Sequence, residues 1–248
     1  MLERALAYRF KEGKLQPVEH PHIPSFQNLL HIDRQKEELK RNTQKLVMGL
    51  HANDVLLWGD RGTGKSSLVK SMLGLFGKDG LRIIQVYKMD IEHISDLYGI
   101  LRGSPLKFIL FFDDLSFEKG DESYRILKSM MDGDVEERPP NVVIYATSNR
   151  RNLMADVEGS ELFPEESAIE RWSLVERFGI RLGFFAFGMD QYLDVVKHYL
   201  TLKGITWDEE IRAMAVRWAT ERGSFSGRTA WQFVKYLEGE LHVGYYRR

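Results

Sequence analysis

Residues 59–66, which read Gly-Asp-Arg-Gly-Thr-Gly-Lys-Ser, constrain the fold of this chain more than any other part of the sequence. They match the phosphate-binding pattern G-x-x-x-x-G-K-[ST] at every fixed position. The apolar residues 55–58 before them suit a buried strand, and residues 66–73 after them have the apolar spacing of a helix. A glycine-rich loop between strand and helix directs backbone N–H groups and the positive end of the helix dipole towards an anion. This context makes a chance match in a glycine-rich turn the weaker alternative, and the segment predicts a nucleotide-binding site.

The side chains of this loop have separate predicted roles. The Lys65 ammonium is expected to reach the β- and γ-phosphates, and the Ser66 hydroxyl is expected to bind Mg²⁺. Backbone N–H groups of the loop are expected to surround the β-phosphate. The other residues predicted to contact the nucleotide are Gly59, Asp60, Arg61, Gly62, Thr63, Gly64 and Ser67.

Composition narrows the class of protein further. The 248 residues are enough for one large domain or two small ones. The absence of cysteine excludes disulfides and thiolate metal sites and fits a reducing compartment, so we expect a cytoplasmic protein. The longest strongly apolar run, residues 108–112, is too short to cross a bilayer, and residues 1–7 lack the apolar core of a signal peptide. The formal net charge of −1 provides no overall attraction to nucleic acid or membrane, although a local basic patch is compatible with it.

Strands and helices alternate along most of the chain. Apolar runs predict five strands, at residues 55–58, 81–87, 108–112, 141–147 and 180–185. Helices are predicted at residues 33–50, 66–73, 95–101, 121–131 and near 169–176, with a loop at residues 158–166. Strands that are apolar throughout and alternate with helices are typical of a parallel sheet covered on both faces. The predicted class is therefore α/β, with a parallel five-stranded sheet flanked by helices.

The two ends of the chain depart from this alternation. Residues 1–30 are predicted to contain a short amphipathic helix, at residues 1–12, followed by a proline-containing linker. The α/β nucleotide-binding domain is predicted to span residues 31–187. Residues 188–248 are interpreted as a small all-helical domain, with helices at about residues 190–202, 208–222 and 227–241.

Two carboxylates and an amide follow strands of the predicted sheet. Asp113 and Asp114 follow the third strand, and Asn149 follows the fourth. Ligands of open α/β sheets bind outside the carboxyl ends of strands, where a carboxylate can hold Mg²⁺ through water. We expect Asp113 on the metal side, Asp114 to orient the attacking water, and Asn149 near the γ-phosphate. The alternatives are a cap or turn for the acids and a strand-end turn for Asn149, with Thr147 or Ser148 making the contact instead.

Together these segments resemble the AAA+ ATPase superfamily over residues 32–241. Residues 59–66 are similar to its Walker A motif, residues 108–114 to Walker B, and Asn149 to the sensor-1 residue. The segments NDVLLWGDRGTGKSSLVK, FILFFDDLSFEKGDESYRILKSMMDG, NVVIYATSNRRNL and FSGRTAWQFV look most like bacterial predicted ATPases of the AAA family that have no assigned physiological function. The resemblance implies a P-loop NTPase fold with a helical lid at the C-terminus. It also implies that ATP or ADP binds with Mg²⁺ and that ATP is hydrolysed.

The resemblance assigns roles to two arginines as well. Residues 174–179 are similar to the segment that carries an arginine finger, which implies that Arg177 points into a neighbouring subunit's nucleotide site in a head-to-tail homo-oligomer. Arg228 opens a lid helix as the sensor-2 arginine does, and would contact the γ-phosphate. Arg150 and Arg171 are alternative fingers. A surface ion pair for Arg177, and a solvated helix face for Arg228, are the structural alternatives.

One position departs from the common superfamily pattern. Many AAA+ hydrolases end Walker B in Asp-Glu, whereas this chain has Asp113-Asp114, as the bacterial subgroup also does. The aspartate side chain is one methylene shorter, and in catalysis a misplacement of about 1 Å can cost on the order of 100-fold in rate. We therefore expect slow hydrolysis or assistance from Glu118.

The sequence favours an assembling ATPase that remodels an unidentified protein partner. A helicase-loader-like switch that acts on DNA or a DNA-bound complex shares the same core, although the near-neutral charge argues against direct DNA binding. A scaffold that binds nucleotide without hydrolysing it is the third hypothesis. A small-molecule kinase is weaker, since the sequence shows no second substrate pocket.

Overall fold

The computed structural model describes residues 2–118, 121–132, 137–150, 153 and 173–243. Its strands are β1 (Ala7–Lys11), β2 (Lys14–Pro17), β3 (Val55–Gly59), β4 (Leu81–Val86), β5 (Lys107–Phe112), β6 (Val142–Ser148) and β7 (Ile180–Phe184). Its helices are α1 (Asp33–Val47), α2 (Lys65–Phe76), α3 (Ile94–Leu101), α4 (Glu122–Asp132), α5 (Met189–Leu202), α6 (Glu209–Glu221) and α7 (Gly227–Val243).

All seven strands belong to one sheet, in the order β2-β1-β4-β5-β6-β3-β7. The β1–β4, β4–β5, β5–β6 and β3–β6 pairs are parallel, whereas β1–β2 is antiparallel. Residues 108–112 of β5 and all of β6 are buried, as expected for central strands of a parallel sheet with both faces covered. The predicted α/β class is confirmed.

The predicted number of strands and the predicted helix at residues 1–12 are wrong. β1 and β2 form a hairpin instead, and β1 adds this hairpin to the sheet beside β4. The signal lies in the alternation along β1, where Tyr8 and Phe10 are buried and the residues between and after them are exposed. Glu12 and Gly13 form the turn with φ of 52° and 70°, the left-handed conformation that two-residue hairpin turns need. Helical periodicity is therefore the wrong interpretation of these residues.

Asp54, the buried residue before β3, connects this strand to β6 and to the segment that precedes β6. Asp54 accepts hydrogen bonds from the Arg138 guanidinium at 2.6 Å and from the Ile144 backbone N–H at 2.7 Å. Burial raises the pKa of the Asp54 carboxyl in spite of the opposing Arg138 charge. Because both carboxylate oxygens have partners, Asp54 fixes the entry of the chain into β3, the strand that leads to the glycine-rich loop.

The last three helices lie close to their predicted bounds. α6 begins at a side-chain cap, because the Asp208 carboxylate accepts a hydrogen bond of 2.8 Å from the Ile211 backbone N–H. The helices enclose an apolar core of their own, in which Tyr192, Val196, Ile211 and Phe233 are buried. None of the helices described is long and apolar enough to span a membrane.

The chain divides into two compact units. The first comprises Met1–Phe26, Ile32–Gly59 and Lys65–Gly183, and the second comprises Gln27–His31, Asp60–Gly64 and Phe184–Arg248. The predicted domain boundaries at residues 30 and 187 stay predictions. The predicted loop at residues 158–166, the first part of the helix predicted near residues 169–176, and Arg171 lie outside the described residues.

Candidate functional site

The glycine-rich segment lies between β3 and α2, as the sequence predicts. In the second unit, the Asp60 carboxylate accepts a hydrogen bond of 2.7 Å from the Ala186 N–H, and the Asp60 N–H donates to the Phe184 carbonyl at 2.9 Å. The Thr63 hydroxyl donates to the Asp60 carbonyl at 2.7 Å, closing the loop on itself. Two of the fixed glycines of the motif and Gly62 have positive φ angles. The loop is therefore held in one conformation by contacts within its own unit.

Lys65 is the first residue of α2, and its side chain is buried. In the first unit, its ammonium donates to the Gly59 carbonyl at 2.8 Å and to the Asn149 amide oxygen at 3.2 Å. The lysine thus reaches from the start of α2 to the end of β6. This places the predicted phosphate-binding cation beside the predicted polar sensor.

Ser66 and Asp113 form a close polar contact in the site. The Ser66 hydroxyl donates to Oδ1 of Asp113 at 2.5 Å, and the Thr147 hydroxyl donates to the same oxygen at 2.8 Å. Hydroxyl and carboxylate oxygens are hard donors of the kind that Mg²⁺ prefers, and Mg²⁺ commonly takes one or two side chains together with phosphates and water. Ser66 and Asp113 therefore fit the predicted metal position. Within the described ranges, no group of three or more His, Asp or Glu side chains could hold a metal ion alone.

Asp114 follows Asp113 in an unusual backbone conformation. Its φ of 58° is left-handed, which aspartate tolerates better than most residues. Its N–H donates to the Thr147 hydroxyl at 2.9 Å, and its carboxylate accepts from the Asn149 amide at 2.5 Å. Lys65, Asn149 and Asp114 consequently form one hydrogen-bonded chain. Glu118, the predicted assistant, has an exposed side chain.

Two participants were missed or misjudged from the sequence. Thr147 was considered only as a substitute for Asn149, yet its buried hydroxyl contacts both Asp113 and Asp114. Lys70 was not considered, although its ammonium lies 3.6 Å from Oδ2 of Asp113. Its spacing of four residues from Ser66 on a helix was the available signal, because such residues share a helix face.

Arg177 is engaged within its own chain. Its guanidinium forms an ion pair with Asp132 at the end of α4 and donates to the Ser173 carbonyl. The hydrogen bond from Arg177 lowers the pKa of the Asp132 carboxyl. This contact corresponds to the surface ion pair that the sequence left open, while the role in a neighbouring subunit stays a prediction. The alternative finger Arg150 is exposed at the end of β6.

Arg228 lies in the first turn of α7, and its side chain is exposed. Its backbone N–H donates to the Gly62 carbonyl at 3.3 Å, within the second unit. The Ser226 hydroxyl accepts a hydrogen bond of 3.2 Å from the Thr229 N–H and so caps this helix. The start of α7 is therefore joined by its backbone to the glycine-rich loop.

The fold, with its glycine-rich loop between β3 and α2, is the one that solved structures of AAA+ ATPases share. The chain belongs to the family described as "Protein of unknown function (DUF815)", whose profile matches residues 3–241. No curated protein matches the chain significantly.

Solved structures of AAA+ proteins share the fold at low sequence identity. A variant of RuvB from Thermotoga maritima superposes with a TM-score of 0.62 at 18% identity, covering 90% of this chain and 67% of RuvB. Aeropyrum pernix ORC1, solved in complex with DNA, superposes with a TM-score of 0.55 at 16% identity, covering 86% of this chain and 63% of ORC1. Trip13 in an E. coli HORMA:CdnC:Trip13 complex superposes with a TM-score of 0.53 at 13% identity, covering 85% of this chain and 89% of the matched chain.

Proposed function

We propose that this protein binds ATP with Mg²⁺ and hydrolyses its β–γ phosphoanhydride. The contact of 2.5 Å between Ser66 and Asp113 carries the proposal, because it pairs the hydroxyl of the phosphate-binding motif with the carboxylate that follows β5. Both groups face the end of β6, where Thr147 donates to the same carboxylate oxygen. Strand ends of an open parallel sheet are where such ligands bind.

Phosphoryl transfer to water requires positioning and charge neutralisation rather than a covalent nucleophile. Backbone N–H groups of residues 61–65 would surround the β-phosphate, and Lys65 would bind β- and γ-phosphate oxygens. Ser66 and Asp113 would hold Mg²⁺, which adds positive charge beside the phosphates. The Asp114 carboxylate and the Asn149 amide, already hydrogen-bonded at 2.5 Å, would orient the attacking water. We expect slow turnover because the Asp114 carboxylate is short.

Two arginines complete the proposed mechanism. Arg228 would contact the γ-phosphate from α7. Arg177 would leave Asp132 and act on the nucleotide of the next subunit in a head-to-tail assembly, a contribution that can be worth roughly 10³ to 10⁵ in rate. The intramolecular ion pair with Asp132 means that this arginine has to exchange one partner for another.

The test is ATP turnover measured against protein concentration. We expect specific activity to rise with concentration, Asp114→Asn to reduce turnover by at least about 100-fold while retaining ATP binding, and Arg177→Ala to remove the concentration dependence. Arg217→Ala is the matched control, because Arg217 is an exposed arginine on α6 to which the proposed mechanism gives no role. Specific activity that does not change with protein concentration, and that Arg177→Ala leaves unaffected, would contradict the proposed action of Arg177 in a neighbouring subunit. Tight ATP binding with zero turnover by an assembled protein would favour the non-hydrolysing scaffold.

The proposed substrate is a protein partner in the cytoplasm that the ATPase remodels. The Trip13 structure, which contains HORMA and CdnC, supports this choice by fold alone. The described resemblance to RuvB, named a Holliday junction branch migration motor, and to ORC1 with DNA supports the alternative of a switch on DNA. The formal net charge of −1 favours the protein partner. Two experiments separate the protein partner from the switch on DNA. A protein captured in a pull-down with Asp114→Asn would support the first, and DNA binding in titrations with ATP at low salt would support the second.

A further inference from the structure

A second lysine stands beside the acidic residue of the proposed metal position. Lys70 lies on α2 four residues after Ser66, and its ammonium is 3.6 Å from Oδ2 of Asp113. We propose that Lys70 neutralises Asp113 when no divalent cation is bound and so allows the protein to hold a nucleoside diphosphate without metal. The inference rests on the proposed function of the site.

The two oxygens of Asp113 have different partners. Oδ1 accepts hydrogen bonds from the hydroxyls of Ser66 and Thr147, at 2.5 Å and 2.8 Å. Oδ2 faces the Lys70 ammonium. The Ser66 and Thr147 hydroxyls carry no charge. Of the three groups that contact Asp113 here, Lys70 is therefore the one that brings a positive charge to its carboxylate.

Lys70 is restrained in this position. Its side chain is 31% exposed and that of Asp113 is 26% exposed, so the pair is shielded from much of the solvent. The ammonium also lies 5.8 Å from the centroid of the Phe111 ring, within the range of a cation–π contact. A partly shielded pair is screened less by salt than a pair on the open surface.

The charge balance explains why this lysine matters for an anionic ligand. Asp113 and Asp114 bring two carboxylates to the site, and Lys65 and Lys70 bring two ammonium groups. Removing Lys70 leaves one excess negative charge next to the phosphates, which repel it. A bound divalent cation offsets that charge. The loss of ADP affinity on removing Lys70 should therefore be confined to metal-free conditions.

The expected effect is a change in the coupling between metal and nucleotide. Lys70→Met should weaken ADP binding in EDTA by roughly tenfold or more, while ADP binding in Mg²⁺ changes by less than about threefold. Binding linkage is reciprocal, so ADP should tighten Mn²⁺ binding in this variant by a correspondingly larger factor than in the unmodified protein. Lys70→Arg, which keeps the charge, should retain most of the metal-free affinity.

The test is titration of the full chain with ADP by calorimetry, in EDTA and in Mg²⁺, with thermal unfolding as the check on folding. Lys78→Met is the matched control, because Lys78 is an exposed lysine just beyond the end of α2. Unchanged affinity of Lys70→Met in EDTA, or an equal loss in EDTA and Mg²⁺, would overturn the inference. Absence of ADP binding by the unmodified protein in Mg²⁺ would instead overturn the proposed function on which it rests.

Discussion

Thr147 shows how a single buried side chain organises the candidate site. Its hydroxyl donates to Asp113 and accepts from the Asp114 N–H, at 2.8 Å and 2.9 Å. One hydroxyl can do both because it is a donor and an acceptor at once. The left-handed conformation of Asp114 is therefore supported by a contact from the neighbouring strand, and β6 positions both acids.

Tyr145, two residues earlier on β6, is a buried side chain whose ionisation should make the stability of the protein depend on pH. Its hydroxyl is hydrogen-bonded to Thr43 at 2.9 Å and Asn42 at 3.1 Å, and burial raises its pKa to about 12. The unfolded chain releases this proton near pH 10 and the folded protein near pH 12, so stability falls as pH rises through this window. Tyr145 should contribute about 2–3 kcal/mol to this fall, to which the buried Tyr192 and the partly buried Tyr199, whose pKa values are also raised, add.

We therefore predict that Tyr145→Phe flattens the alkaline fall in the free energy of unfolding. At neutral pH the variant should lose about 1–3 kcal/mol, because Thr43 and Asn42 lose a buried partner. Urea unfolding at pH values below and above 10 measures both effects. Tyr87→Phe, at a tyrosine that is 38% exposed, is the control and should change neither. An equally steep fall in Tyr145→Phe would show that another group causes it.

At the scale of elements, the start of α7 and the glycine-rich loop constrain each other. A Cβ atom on Gly62 would lie 2.8 Å from Oγ and 3.0 Å from Cβ of Ser226. Ser226 cannot move away without cost, since its hydroxyl caps α7. Gly62 also has a φ of +76°, which side chains of L-residues rarely adopt.

We predict that Gly62→Ala destabilises the protein by more than the roughly 1–2 kcal/mol expected from its left-handed backbone alone, and weakens nucleotide binding. Gly204→Ala is a matched control, because Gly204 has a φ of +69° and no heavy atom within 4 Å of its added Cβ. Thermal unfolding and ADP titration of both variants measure the difference. Equal destabilisation, with unchanged ADP affinity, would mean that the contact with α7 is unimportant.

At the scale of the whole molecule, the Arg177–Asp132 ion pair bears on assembly. If Arg177 acts in a neighbouring subunit, Asp132 competes for it, and the 47% exposure of the Asp132 side chain limits the strength of that competition. An exposed ion pair contributes at most about 1 kcal/mol, which corresponds to a factor of about five.

We predict that Asp132→Asn raises ATP turnover at low protein concentration by up to about fivefold. Adding Arg177→Ala to this variant should remove the gain, because the freed arginine is its cause. Asp79→Asn, at an exposed aspartate after α2, serves as the control and should leave turnover unchanged. A lower turnover in Asp132→Asn would indicate that the ion pair positions Arg177 for its role instead.

The sequence by itself determined the order strand, loop and helix around residues 59–66, the buried strand that leads to Asp113, and the three final helices. These features depend on residues that are close along the chain, whose periodicity and glycine spacing carry the physical signal. The same local signal misled at residues 7–11, where period-two alternation was interpreted as a helix.

Only the tertiary structure decided that Thr147 holds both acids, that Lys70 faces Asp113, and that Arg177 pairs with Asp132. Thr147 and Asp113 are 34 positions apart, and Arg177 and Asp132 are 45 apart. Contacts at such separations are set by strand order and register, because a parallel sheet places the ends of β5 and β6 side by side whatever lies between them. No local pattern contains that information.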